Sequence, residues 1–230
     1  MESIKPFAEL MHSDSRHEGW IVVDADAPGG ERPLALKDRY DTVAGWELSE
    51  AVPEGVRSAY NVARMLWVYG WFYWPFYTIA SLHAIFSLDM ALLVRWCRED
   101  GITGPVKRSP PLREMLERAV RERWVTDEGI AYAERIRASA REEYENYSPE
   151  LRVALGPNPW EESDQRYCHH LLESIPKLRN AFAHPKNYWH GLSTFSLMDL
   201  EDVHGLIQQL FPAGIDTSNL AATDENDVSN

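Results

Sequence analysis

From Met65 to Leu88 the chain carries 24 consecutive residues without a lysine, arginine, aspartate or glutamate. No other feature restricts the possible folds as much. A stretch of that length is enough to cross a bilayer as one helix, but its interior argues for another arrangement. Gly70 and Pro75 interrupt it, and Thr78, Ser81 and His83 place polar groups in its second half. Eight of the eleven residues from Trp67 to Tyr77 are aromatic, whereas membrane-spanning helices divide their aromatics between two interfacial belts. The run therefore reads as two successive core helices that meet near Pro75, in a protein that does not enter a membrane. A membrane-associated helical protein resting on this run is the structural alternative.

The flanking sequence extends the helical pattern. Ser49 is a candidate N-cap, with Pro53 and Glu54 in the first turn of a helix ending near Tyr73. A second helix spans about Phe76 to Glu99 and stops at Gly101. Further helical stretches run from Pro110 to Trp124, Asp127 to Tyr147, Glu161 to Ala183 and Ser196 to Leu210. In the first of these, Glu114 precedes Arg118 and Glu117 precedes Arg121 by four residues, the supportive orientation on a helix face. Pro176 should bend or restart its helix and Pro185 should end it. Residues 1–48, rich in Gly, Pro and Asp, read as an irregular arm, with a β-like run at Trp20 to Val23 and a turn signal at Pro28-Gly29-Gly30 that suit a hairpin. Residues 213–230 hold four acidic and no basic side chains and read as a disordered tail. The expected fold is thus all-α, a bundle of five or six helices over residues 49–212, with no β-α alternation and no internal repeat.

The net charge of −13 repels phosphate backbones at long range, so any nucleic-acid site must be local. Cys97 and Cys168 cannot build a disulfide scaffold, and Met-Glu-Ser-Ile-Lys-Pro does not resemble a secretory signal, so a cytoplasmic location is expected. There is no glycine-rich phosphate loop, nucleophile elbow, paired CxxC or HExxH, and no cofactor is expected. Cys168-His169-His170 is the one run of metal-ligand residue types, but adjacent side chains on a helix point about 100° apart, so no metal is expected there. Cys97 reads as a buried thiol, and His83 and Asp89 as a mutually satisfied core pair.

The segment Lys177 to Lys186, KLRNAFAHPK, carries chemistry. Between Arg166 and His190 lie four Lys or Arg, one acid (Glu173) and four of the chain's eight histidines, a basic island in an acidic protein. Arginine holds phosphate through two parallel hydrogen bonds, and histidine moves protons near neutrality. Together they are the minimal equipment for phosphodiester chemistry without a metal. Asn180 and His184 share a helix face, whereas Arg179 lies about 140° away from His184 on an ideal helix. The helix must end or unwind near His184 for the two to share a site, which Pro185 permits.

Arg179-Asn180-Ala181-Phe182-Ala183-His184, between Leu178 and Pro185, resembles the motif of the HEPN superfamily, in which an arginine and a polar residue precede a histidine at this spacing. The resemblance extends from Ser49 to Leu210, and LDMALLVRW is similar to an earlier core helix of that family. It implies a helical bundle that pairs through the motif as a homodimer, and a metal-independent endoribonuclease such as a toxin or phage-defence effector. Arg179, Asn180 and His184 would be catalytic, with Lys177, Lys186 and His190 as RNA-binding candidates around them. Some members add an acidic residue from an earlier helix, and Asp89 is the candidate here. The alternative is a catalytically silent HEPN-like module that binds RNA or nucleotide, or one half of a toxin-antitoxin pair with a protein partner. Arg179 and His184 could also simply complement the carbonyls of a helix end.

Overall fold

The computed structural model describes residues 5–104, 106, 108–158, 165–183 and 193–212, with backbone alone at 183 and 193–197. These residues are mostly helical. In chain order they form a hairpin, β1 (Ile21–Val23) and β2 (Glu31–Pro33), then α1 (Leu36–Ala44), α2 (Glu54–Tyr69), α3 (Phe76–Glu99), α4 (Leu112–Arg121), α5 (Ala131–Glu145), α6 (Pro149–Leu155), α7 (Arg166–Ala183) and α8 (Ser193–Leu210). The tail 213–230 lies outside the described residues.

The uncharged run divides where its glycine and proline predict. α2 buries Val56, Tyr60, Ala63 and Trp67, spaced for one helix face. It ends at Tyr69 rather than Tyr73, because the Gly70 N–H bonds back to Leu66 and Trp67 and the next residues turn. A Cβ on Gly70 would meet the Tyr77 ring at 2.5 Å, so only glycine lets the turn close onto α3. α3 buries Tyr77, Ala80, Ala84, Leu88 and Ala91, and its alanines allow close packing against α2 on one side and α8 on the other. Gly101, at φ +65°, reverses the chain after it, as expected. By length and composition α3 matches a membrane-crossing helix, and half of that stretch is buried inside the protein. Of the aromatic residues in the uncharged run, Trp67 is fully buried and Phe76 partly, but Phe86 is 41% exposed.

The described residues form eight α-helices where five or six were expected. The two additions are short: α1 lies in the arm, and α6 begins at Ser148, whose hydroxyl accepts the Leu151 N–H ahead of Pro149 in the first turn. Neither is long enough for a periodic apolar stripe to announce it. On α4 the charged pairs also differ. Arg118 lies against Trp96 and Trp124, forks onto Asp100 and reaches Glu122, while Glu117 takes Arg113.

The arm contains the expected hairpin, with Val22 opposite Arg32, and docks on the turn between α2 and α3. Asp14 accepts the Trp74 N–H at 3.1 Å, and its own N–H donates to the Trp71 carbonyl at 2.7 Å. The His17 ring stacks on Trp71 at 4.8 Å, with Nε2 facing the Gly70 carbonyl and the Tyr77 hydroxyl and Nδ1 buried without a hydrogen-bond partner among the described residues. The guanidinium of Arg39 sits over Trp20, Trp67 and Tyr77. Burial, the largest cause, holds the His17 pKa below 6.5; the hydrogen bond to the Gly70 carbonyl opposes the shift, the Arg39 and Arg16 charges add to it and the Asp14 charge opposes it. A depressed histidine pKa stabilises the docked arm fully above the unfolded-state pKa, and that stability is lost as pH falls from about 6.5. Hydrogen exchange of residues 14–24 should therefore accelerate between pH 6.5 and 5 beyond the intrinsic trend. His17→Phe, which keeps the ring contacts without a titrating nitrogen, should abolish that acceleration; an unchanged profile in the variant would refute this coupling.

Candidate functional site

α7 carries the motif, and its position is set from its first turn. The N–H groups of Tyr167 and Cys168 donate to the two oxygens of Asp127, at 3.0 and 2.7 Å. Asp127 is fully buried in a 3-10 turn ahead of α5 and also accepts from Arg137 at 3.1 Å. An acidic side chain from a distant segment thus caps α7 and complements its dipole. The helix continues through Pro176, without a restart, to Ala183, the residue before His184 in sequence.

Arg179 and Asn180 lie on the wall of a groove of about 600 Å³ between α3, α7 and the start of α4. Asp89 of α3 faces Arg179 there, with Oδ2 3.8 Å from the nearer guanidinium nitrogen. Burial pushes the Asp89 carboxyl above its ordinary range, and the Arg179 charge opposes the shift. The Nε of Arg179 is buried and has no hydrogen-bond partner among the described residues. The Arg179 side chain is 42% exposed and has one long ion pair among the described residues, so its accessible guanidinium donors can take an anionic oxygen.

Asp89 therefore pairs with Arg179 and not with His83, which turns edge-on to Phe86. Six residues on a helix rotate by about 240°, so His83 and Asp89 lie on different faces. Lys177 lies away from the groove and pairs with Glu173 at 3.3 Å on the exposed face of α7. His184, Lys186 and His190, together with Pro185, lie outside the described residues. Arg113 and Ser109 also line the groove, and no motif in the sequence pointed to them.

Cys168 is buried against Asp127 while His169 and His170 are exposed, so the three point apart. Burial and the hydrogen bond to Asp127 raise the Cys168 thiol pKa, and burial raises that of Cys97. Among the described residues no three His, Cys, Asp or Glu side chains converge as a metal ion would require.

A second acidic feature lies on α8. Burial pushes Asp199 up to about 6 and Asp202 up to about 7. Asp202 accepts the Tyr167 hydroxyl at 2.6 Å, and its other oxygen is buried without a hydrogen-bond partner among the described residues. Because the folded-state pKa lies above the unfolded one, this group stabilises most below about pH 4, and the contribution disappears as pH rises through 7. Asp202→Asn, which mimics the protonated acid, should raise stability at pH 8 by about 1–3 kcal/mol and leave it unchanged near pH 4. Thermal unfolding at the two pH values checks this, and an equal shift at both would refute it.

No protein-family model matches the chain, and no curated protein or solved structure resembles it significantly.

Proposed function

We propose that this protein is a metal-independent endoribonuclease with a HEPN-like bundle, acting as a homodimer in a toxin or defence role. The observation that supports this most is the meeting of Arg179, Asn180 and Asp89 on one groove, where a 3.8 Å contact with Asp89 is the one ion pair of Arg179 among the described residues. In the proposed reaction a base removes the 2′-hydroxyl proton and O2′ attacks phosphorus. The bond from phosphorus to O5′ breaks, and an acid protonates the departing O5′. Arg179 stabilises charge on the phosphorane oxygens, Asn180 orients the phosphate, and Asp89 orients the guanidinium.

His184 supplies proton transfer, as the motif resemblance implies. One imidazole cannot efficiently serve both sides of phosphorus in one step, so His184 of a second copy completes the site. The products are a 2′,3′-cyclic phosphate and a 5′-hydroxyl. The test combines RNA with purified protein in excess chelator, identifies product ends and measures protein mass in solution. Cyclic phosphate ends from a dimer are expected. Loss of cleavage in chelator, 3′-hydroxyl products, or full activity in a strict monomer would overturn the proposal.

A further inference from the structure

The groove beside Arg179 has a second half that phosphate chemistry does not use. Phe86 and Met90 of α3 line it, 41% and 43% exposed. Across from them Pro110 and Pro111 precede α4, and Pro111 is held extended at φ −58°, ψ 142°. Proline lacks a backbone N–H and has fixed φ, so this wall offers apolar surface with few polar groups needing solvent. An aromatic ring, a polarisable thioether and proline rings favour a flat, polarisable ligand. Arg179, Asn180 and Arg113 line the same groove. Arg113 is paired with Glu117 at 2.8 Å and Arg179 with Asp89 at 3.8 Å, so what the groove offers an anion is the remaining guanidinium donors rather than a net positive charge. A planar group joined to an anion is the chemistry of a nucleotide, and about 600 Å³ falls within the range of small-ligand sites.

We infer that the groove seats one unstacked nucleobase against Phe86 and Met90, next to the phosphate held by Arg179. The inference rests on the ribonuclease reading and deepens it by placing the base of the cut or adjoining nucleotide. A base within a duplex has both faces stacked and its edge paired, so it reaches Phe86 only after unpairing. The site thus selects an unpaired nucleotide by stacking, and stacking accepts any base because every base offers a π face.

The test uses the full chain and 2′-fluoro RNA, whose sugar cannot attack its phosphate, so binding is measured apart from cleavage. Fluorescence anisotropy compares a single strand, the same strand in a duplex, and the single strand with all bases removed. The native protein should bind the single strand about 10-fold or more tightly than either of the others. Phe86→Ala should weaken single-strand binding about 10-fold and leave abasic binding unchanged, and Phe86→Trp should retain native affinity. Equal binding of abasic and intact strands, equal binding of duplex and single strand, or native affinity in Phe86→Ala would each overturn the base seat. Cleavage of unmodified RNA by the native protein, assayed in parallel, tests the ribonuclease reading separately. A protein that cleaves RNA but shows no base dependence refutes this inference alone.

Discussion

Replacing Asp127 by alanine should lower the unfolding free energy by about 3–5 kcal/mol, the largest stability effect of any single substitution considered. The carboxylate is fully buried and accepts hydrogen bonds from the Tyr167 and Cys168 N–H groups, from Arg137 and from the Cys168 thiol. Alanine leaves two helix-start N–H groups in the interior without these acceptors, and removes the negative charge that complements both the α7 dipole and the guanidinium. Asp127→Asn keeps an acceptor oxygen but not the charge, and should cost roughly half as much. Urea unfolding of the three proteins measures the difference. A loss below about 1 kcal/mol for Asp127→Ala would mean that Asp127 does not cap α7 in solution.

The largest effect on activity should come from Arg179→Ala and His184→Ala, each reducing RNA cleavage by at least about 100-fold. Neither change should prevent folding. Arg179 is partly exposed, and its only ion pair among the described residues is the 3.8 Å contact with Asp89, so removing it should cost under about 1 kcal/mol. Arg179→Lys separates charge from geometry, because an ammonium keeps the positive charge but cannot present two parallel donors to one phosphate. It should recover only a minor part of the rate. If the native chain slows growth on overexpression, both alanine variants should relieve the effect. Equal toxicity of native and variant chains would sink the ribonuclease reading.

The two buried titrations act in opposite senses across the same pH window. His17 withdraws stability as pH falls from about 6.5, whereas Asp202 withdraws it as pH rises from about 4 to 7. The native chain can therefore show a flat stability profile between pH 5 and 7 that conceals both. His17→Phe and Asp202→Asn would expose slopes of opposite sign.

Much of the helical architecture was determined by the sequence alone, because helix periodicity and breakers are local. Val56, Tyr60, Ala63 and Trp67 share a face by spacing, and Gly70, Pro75 and Gly101 mark ends that need no distant partner. Arg179 and Asn180 could be singled out for the same reason, as neighbouring residues in one short segment. Tertiary structure alone decided which residues meet them. Asp89 lies 90 positions from Arg179, and its helical phase admits either a core contact or the groove until α7 is placed. Phe86 is a large apolar residue in an uncharged run, and only the groove between α3, α7 and the start of α4 leaves it exposed. Asp127 reads locally as the start of its own helix, yet it caps α7 about 40 residues later. Burial, capping between distant segments and ion pairing depend on how elements pack, and local spacing contains no term for that.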